Sequence, residues 1–357
     1  MDDRGARRAV LALCLWLIAP ARPRACAAQA LPLDFENGGP GIAQMLSGIK
    51  SDLALHPELV AQVPGQALKP VVVTVSGMEE DKLGRVIELG QILRVWHWLF
   101  PGQKPPDEEE VGRRLSGICA ENPAAAAPQS RKPENYLQLD LEKAAQRNGL
   151  DVDVVNFYWS RDPKETGRTV EMFERELLAL RDDERTRGRP LYIVAHSWGT
   201  VLIHDALLRL DEQGQTIVVR RLVTLGSPLV PRRLFVRLFK DFHDLVDRLQ
   251  HRVTRPAGVR QWVNLWAQWD PYSEPIALAD ANIQVDLQAQ PYEAKLKALV
   301  PAVGAAAVKS DLKALEDSAQ WHESYRRGFR ASLRTLGEDV SWDILQQNLP
   351  EVLPSRS

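Results

Sequence analysis

One stretch, residues 191–210, constrains the fold of this 357-residue chain more than any other. It opens with a short apolar run, turns through the letters AHSWG, and then carries apolar residues at helical spacing. This pattern predicts a buried strand, an abrupt turn and an amphipathic helix, with Ser197 at the apex of the turn. Small residues two places before and two places after the serine, Ala195 and Gly199, allow the neighbouring backbones to approach closely.

Ser197 has two interpretations. It is either a nucleophile held at a strand-to-helix elbow, or an ordinary serine that caps the N-terminus of the following helix. The apolar strand before it and the amphipathic helix after it favour the nucleophile.

The rest of the chain alternates between β-branched or apolar runs and helical patterns. Strands are predicted at 71–75, 152–159, 191–194, 217–225, 259–266 and 281–287. Helices are predicted at 42–53, 83–100, 134–148, 169–181, 293–318 with an interruption near Pro301, and 324–336. This alternation predicts an α/β fold with a mostly parallel central sheet and helices on both faces.

We expect residues 31–357 to form a single domain with two additions to the sheet. The segment 102–134 is rich in proline, alanine and acidic residues, which predicts a loop-rich insertion. The segment 230–256 carries apolar residues at helical spacing and a basic-leaning charged side. It is predicted to be a helical cap, either packed on the domain or acting as a lid.

The first 30 residues have the pattern of an export signal. A basic start precedes an apolar run at 9–19, and Ala-x-Ala sites follow it. That run is shorter than the roughly 20 residues that a membrane span needs. We therefore expect residues 1–30 to be a signal peptide that leads to the periplasm or out of the cell, with an uncleaved membrane anchor as the alternative.

Composition argues against two classes of protein. The net charge is −2, so no overall field would attract nucleic acid. The three cysteines, Cys14, Cys26 and Cys119, cannot build a disulfide framework. No feature of the sequence defines a protein partner.

A serine hydroxyl becomes a nucleophile only when a neighbouring base takes its proton, and the base needs a third group to orient it. Where a serine occupies such an elbow, the acid follows it in the chain and the histidine comes last. His322 is the histidine that follows the last predicted strand, and its alternative role is that of a surface residue at a helix N-terminus. The other histidines near or after the serine are assigned to packing, orientation or helix surfaces: His196, His204, His243 and His251.

Asp270 is the favoured acid because it closely follows the predicted strand 259–266, where the loops of an active site lie in an open parallel sheet. Its alternative role is a turn aspartate before Pro271. Glu274 and Asp280 are the second-choice acids.

An oxyanion hole requires two backbone N–H donors. One is expected from Trp198, the residue after the serine. The other is expected from the loop that ends strand 71–75, with Met78 as first choice and Gly77 as second. The alternative for this loop is a plain turn at the end of the strand.

Six segments in this order, VVVTVSGM, VVNFYWS, LYIVAHSWGT, LVTLGSPL, NLWAQWDPYSEP and WHESY, resemble the α/β-hydrolase superfamily and most of all its lipase-like and serine-esterase branch. The resemblance spans roughly residues 70–337. It implies the triad Ser197, Asp270 and His322, with no metal and no cofactor. A serine, Ser76, stands where lipases commonly have a histidine before glycine, and this leaves the second oxyanion donor open.

Tryptophans stand at the predicted sheet-end loops. Trp159, Trp269 and Trp321, together with Trp198, are expected to form an aromatic entrance to a substrate pocket, and core packing is the alternative.

These features predict an exported serine hydrolase that cleaves a small-molecule or lipid-like carboxylic ester through an acyl-enzyme. The basic side of segment 230–256 would give it peripheral contact with a membrane. The same triad suits a thioesterase, an amidase or an acyltransferase. A different class of protein also fits, a binding protein of the cell envelope that has the hydrolase fold and no turnover.

Overall fold

The structure is a computed structural model, and it describes residues 39–56, 69–78, 135–162, 165–230, 253–270 and 272–341. All of them belong to one compact unit made of residues 35–80 and 133–357. Four predicted segments lie wholly or mostly outside the described residues: 1–30, 83–100, 102–134 and 230–256. The end of the last segment, residues 253–256, is described and is not helical.

A six-stranded parallel sheet forms the centre of the described unit. Its strands are β1 Val71–Val75, β2 Asp153–Phe157, β3 Leu191–His196, β4 Val219–Leu225, β5 Val259–Trp266 and β6 Ala281–Gln284. They lie in the order β2-β1-β3-β4-β5-β6, and each neighbouring pair is parallel. The chain adds β2 on one side of β1 and β3 to β6 on the other, so the strand order reverses between β1 and β3. Ligands of open parallel sheets bind beyond the strand ends at such a point.

Helices cover both faces of the sheet. They are α1 Pro40–Leu55, α2 Tyr136–Arg147, α3 Thr166–Asp182, α4 Trp198–Glu212, α5 Gln290–Val303, α6 Ala305–Leu315 and α7 Ser318–Arg327. Helices α3 and α4 bury one face, and the other five contribute to the apolar core of the opposite face. The predicted α/β class, with a parallel sheet between helical layers, is confirmed. None of the helices in the described ranges has the length and apolar content to cross a membrane.

Alternation along the strands explains how the sheet serves two cores. In β3, Tyr192 and Val194 face one core while Ile193 and Ala195 face the other. A strand with apolar residues on both faces must be covered on both sides, so the continuous apolar run before Ser197 requires helices above and below it.

Two predicted elements near the end of the sheet differ from the structure. The predicted strand 281–287 ends at Gln284 and continues as the 3-10 helix Val285–Ala289, in which the Asp286 carboxylate accepts the backbone N–H of Trp269. The interruption predicted near Pro301 falls at Gly304 instead. Pro301 lies in the last turn of α5, and Gly304, with φ +87°, ends the helix in a conformation that favours glycine.

The largest difference concerns the end of the described chain. The predicted helix 324–336 is wrong: α7 begins at Ser318 and ends at Arg327, and His322 lies inside it rather than in a break before it. Gly328 follows with φ +84°, and the chain then forms an antiparallel hairpin of β7 Arg330–Leu333 and β8 Glu338–Ser341.

Candidate active site

Ser197 stands in a strained backbone conformation between β3 and α4. Its φ is +53° and its ψ is −129°, which a residue with a Cβ rarely adopts and which costs about 1–3 kcal/mol. Two glycines near Ser197 are required because other atoms approach them too closely for a side chain. A Cβ at Gly199 would lie 2.6 Å from the Val75 carbonyl oxygen, and one at Gly77 would lie 2.7 Å from the Ser197 Cβ.

The Ser197 hydroxyl does not cap helix α4, although the residue occupies the N-cap position. The backbone of Ser197 is held instead: its N–H donates to the Leu225 carbonyl at 2.8 Å, and its carbonyl accepts the Thr200 hydroxyl at 2.7 Å. The helix-capping interpretation of this serine is therefore wrong. The backbone of the elbow therefore fixes the position of the hydroxyl, and the hydroxyl does not cap the helix.

Asp270 lies at the end of β5 and is fully buried. Its Oδ2 accepts hydrogen bonds from His322 Nδ1 at 3.0 Å, from the Tyr325 hydroxyl at 2.7 Å and from the Ser273 hydroxyl at 3.0 Å, and its Oδ1 accepts the Tyr272 N–H at 2.9 Å. Burial alone would raise the pKa of Asp270, but the charge of His322 and these hydrogen bonds outweigh it and lower the pKa. The carboxylate therefore stays ionised at neutral pH.

The second-choice acids have other surroundings. Asp280 pairs with Arg255 at 2.7 Å and accepts the backbone N–H of Trp262 at 2.7 Å, which ties β5 to the loop before β6. Glu274 is partly buried, and its backbone carbonyl accepts the Asn264 side chain at 3.1 Å.

His322 reaches Asp270 from helix α7. Because an ionised carboxylate only accepts hydrogen bonds, His322 carries a proton on Nδ1. Its ring also packs against the rings of Tyr272, at 4.8 Å between centroids, and His196, at 5.0 Å. Among the other candidate histidines, His204 binds the Thr254 carbonyl at 2.8 Å, and residues 243 and 251 lie outside the described ranges.

Backbone contacts bring the serine and the histidine to the same edge of the sheet. Leu225, which receives the Ser197 N–H, is followed by Gly226, and a Cβ there would lie 3.1 Å from the His322 ring and 2.7 Å from the Tyr325 ring. The three residues predicted to act together, Ser197, Asp270 and His322, thus surround the carboxyl ends of β3, β4 and β5.

The loop Ser76–Met78, which follows β1, is held by side chains at each of its carbonyls. Trp159 Nε1 donates to the Ser76 carbonyl at 2.9 Å. Arg161 donates to the Gly77 and Met78 carbonyls, each at 2.7 Å. In a trans peptide the C=O and the N–H point in opposite directions, so Arg161 on the Gly77 carbonyl fixes the direction of the Met78 N–H.

Of the two predicted donors in this loop, Gly77 has its N–H engaged, since it donates to the Tyr136 hydroxyl at 2.9 Å. Met78 is therefore the better candidate. The other predicted donor, Trp198, is the first residue of helix α4, where the helix dipole favours negative charge.

The described contacts of the predicted pocket tryptophans are those of core residues. Trp321 is fully buried, stacks on Phe329 at 4.1 Å and donates its indole N–H to the Leu315 carbonyl. Trp269, partly buried, packs against Trp321 at 5.6 Å. Trp159 is buried beneath the loop whose carbonyl it holds. These contacts fit core packing, which is the alternative that the sequence offered for these residues.

Sequence reasoning missed three of the side chains that build the site. Tyr325 lies one helical turn after His322, a spacing that places both on one helix face, so the sequence offered a signal once the helix was known. Tyr136 and Arg161 reach the loop after β1 from 59 and 84 residues away, and no local pattern announces them.

Gly226 is expected to tolerate no side chain. Its φ is +56°, which costs alanine about 1–2 kcal/mol, and the added Cβ would press into the buried Tyr325 ring, which costs about 1–3 kcal/mol more. We expect Gly226→Ala to lower the free energy of unfolding by about 2–5 kcal/mol in urea titrations.

Gly214 is the matched control for that substitution. Its φ is +69°, but nothing lies within 4 Å of the position of a Cβ. Gly214→Ala should therefore cost about 1–2 kcal/mol for the backbone alone. Equal losses for the two variants would show that crowding against α7 contributes nothing.

The described unit is an α/β fold with a parallel sheet between helical layers and a positive-φ serine at a strand-to-helix elbow. No family model and no curated protein matches the chain. A solved structure of a metagenomic carboxyl esterase is similar at 14% identity and a TM-score of 0.28, over 56% of this chain and 50% of that one. The chain thus spans about half the length of that esterase.

Proposed function

We propose that the protein is a serine hydrolase that cleaves carboxylic esters through an acyl-enzyme. The proposal is supported by a strained, uncapped serine at an elbow and by a histidine, at the same edge of the sheet, that is hydrogen-bonded to a buried carboxylate. This is the arrangement that nucleophilic acyl transfer requires.

In the proposed reaction, the Ser197 hydroxyl oxygen attacks the ester carbonyl while His322 Nε2 takes the hydroxyl proton. Asp270 stabilises the imidazolium that forms, without itself taking the proton. The tetrahedral oxyanion is stabilised by the N–H groups of Trp198 and Met78. His322 then gives the proton to the alcohol oxygen as the C–O bond breaks, which leaves the acyl group on Ser197.

A water molecule completes the cycle. His322 Nε2 takes one of its protons as the water oxygen attacks the acyl carbonyl. As the bond between the acyl carbon and the Ser197 oxygen breaks, His322 gives that proton to the Ser197 oxygen, and the carboxylic acid is released. Arg161 supports both steps because it holds the Met78 N–H in a fixed direction, so the donor costs no reorganisation when charge develops.

A fluorophosphonate probe tests this proposal, because it phosphonylates a serine only where a base activates it. We expect the folded wild-type protein to bind one equivalent of probe, and mass spectrometry of the peptides to locate the adduct on Ser197. The same protein unfolded in urea is the control and should not react. A folded protein that stays unlabelled would overturn the proposal and favour a non-catalytic binding protein.

A further inference from the structure

His196, the residue before the nucleophile, is buried and titratable, and the proposed mechanism does not use it. Both of its ring nitrogens are engaged. Nε2 lies 3.0 Å from the backbone carbonyl oxygen of His322, and Nδ1 lies 2.8 Å from the hydroxyl of Tyr136 on helix α2. The same hydroxyl accepts the Gly77 N–H at 2.9 Å. A continuous polar chain therefore runs from the loop after β1, through α2 and the elbow, to helix α7.

The direction of each hydrogen bond in this chain is fixed. A carbonyl oxygen only accepts, so His196 Nε2 carries a proton. Burial, and next the charge of His322, lower the pKa of His196 to about 3, so the ring is neutral and Nδ1 has no proton. The Tyr136 hydroxyl must then donate to Nδ1, while its oxygen accepts from Gly77. Burial raises the pKa of Tyr136 to about 12, which keeps the hydroxyl able to donate at neutral pH.

The surroundings of Tyr136 hold its ring in one position. The guanidinium of Arg326 lies 4.3 Å from the ring centroid, and that of Arg161 lies 5.5 Å from it. Arg326 is itself fixed by ion pairs with Asp140 and Glu323. Arg161 also binds the two carbonyls of the loop after β1. The tyrosine is thus anchored to α2, to α7 and to the loop at once.

We propose that Tyr136 and His196 are positioning residues that connect the loop carrying Met78 to the helix carrying His322. The oxyanion donor lies in the loop after β1 and the base lies on helix α7. The hydrogen bonds of the sheet do not join this loop to this helix. The Tyr136–His196 pair sets the spacing between them and is attached to the nucleophile through the chain. This inference rests on the proposed hydrolase function.

Tyr136→Phe is the sharpest test because it removes one oxygen and keeps the ring. When the hydrogen bond between Tyr136 and His196 is lost, the pair no longer sets the spacing between the Met78 N–H and His322. A misplacement on the order of 1 Å costs about 10²-fold in rate. We expect kcat for a p-nitrophenyl ester to fall by about 10- to 100-fold while KM changes less than about twofold, because substrate contacts remain. The affinity for a boronic-acid inhibitor, which forms a tetrahedral adduct with the serine, should fall in parallel with kcat.

Matched controls separate positioning from general damage. Tyr192→Phe also removes a buried hydroxyl, which bonds Asp52 at 2.9 Å near the start of β3, the end away from the elbow. His204→Gln also replaces a buried histidine that bonds a backbone carbonyl. Both should keep kcat within about threefold of wild type even where they lower stability. Losses of kcat in the controls equal to that of Tyr136→Phe would overturn the inference.

A double variant tests whether the two residues act as a unit. If they do, Tyr136→Phe combined with His196→Gln should be no more than about threefold slower than the slower single variant. Losses of kcat that multiply would mean that the two side chains act independently, which contradicts the proposal.

Nuclear magnetic resonance of the wild-type protein, with ¹⁵N-labelled histidine, keeps the inference testable if the variants do not fold. His196 should show a proton on Nε2, none on Nδ1, and no titration between pH 8 and about pH 5, because its pKa is lowered to about 3. The opposite tautomer, or titration near pH 6.5, would overturn it. Failure of wild-type labelling by the fluorophosphonate rejects the hydrolase itself, whereas a labelled wild type with an unchanged Tyr136→Phe rate rejects only the positioning role.

Discussion

Ser197→Ala is expected to lower kcat for a p-nitrophenyl ester by about 10⁶-fold and to abolish fluorophosphonate labelling. Without the hydroxyl there is no nucleophile for His322 to activate and no acyl-enzyme. Residual hydrolysis would come from water attacking an ester that is bound and polarised by the oxyanion donors, and this background is far slower.

The same substitution should leave the fold intact, and this makes its effect on activity easy to interpret. Ser197 makes no capping bond through its side chain, and alanine at φ +53° is strained no more than serine. We expect the free energy of unfolding to change by less than about 0.5 kcal/mol in urea titrations. An inactive variant of wild-type stability would localise the chemistry to one oxygen atom.

Ser227→Ala is the control for Ser197→Ala. Ser227 is also a buried serine at the end of a strand, and its hydroxyl shares a hydrogen bond of 2.7 Å with Thr200. Its loss should lower stability by about 1 kcal/mol and leave kcat within about tenfold of wild type. A Ser197→Ala variant that kept a tenth of the wild-type kcat would contradict the assigned nucleophile.

Local pattern predicted the sheet well because its strands are continuous apolar runs between helices. The strand at 259–266 has the predicted bounds, and the helix predicted at 134–148 is present as Tyr136–Arg147. The end of the chain was different. Residues 324–336 have apolar positions compatible with a helix, and what decides against it is Gly328, whose φ of +84° ends α7, together with the pairing of Ala331 opposite Val340 in the hairpin.

For the site, chain order singled out His322, chain order together with a position just after a predicted strand favoured Asp270, and the two side chains do form a hydrogen bond. The order of residues along a chain carries this information because parallel strands deliver successive loops to one edge of the sheet. The same reasoning cannot find Tyr136 or Arg161. Their side chains cross from a helix and a loop to the backbone after β1, and such a crossing depends on three-dimensional packing with no sequence period behind it.

Asp270→Asn is expected to have the second-largest effect, a fall in kcat of about 10⁴-fold. The carboxylate accepts from donors on both oxygens, whereas an amide has one accepting oxygen and one NH₂ group. If the amide nitrogen faces His322, the ring must accept there, and its proton moves to Nε2, the atom that has to take the serine proton. If the amide nitrogen faces the Tyr272 N–H instead, two donors oppose each other in the buried site.

Either orientation also lowers stability. Asp270 accepts four hydrogen bonds from buried or half-buried groups, and leaving one donor without an acceptor costs about 1–3 kcal/mol. The sign of the pH effect follows from the lowered pKa of Asp270. In the wild type, the stability that this carboxylate contributes is present above the ordinary aspartate pKa of about 3.9 and is lost as the pH falls through the lower folded value. The free energy of unfolding of Asp270→Asn should lack the decrease at low pH that this carboxylate causes in the wild type.

Asp280→Asn provides the matched control, because it makes the same chemical change in the second-choice acid, ten residues further along. Asp280 is exposed, and its carboxylate pairs with Arg255 and accepts the N–H of Trp262. We expect Asp280→Asn to keep kcat within about threefold of wild type, since those contacts lie apart from His322. The measurement is kcat for both variants, with urea titrations at pH 7 and at about pH 3, below the ordinary aspartate pKa of about 3.9. If Asp280→Asn lost activity while Asp270→Asn kept it, the acid would be misassigned and the histidine would need another partner.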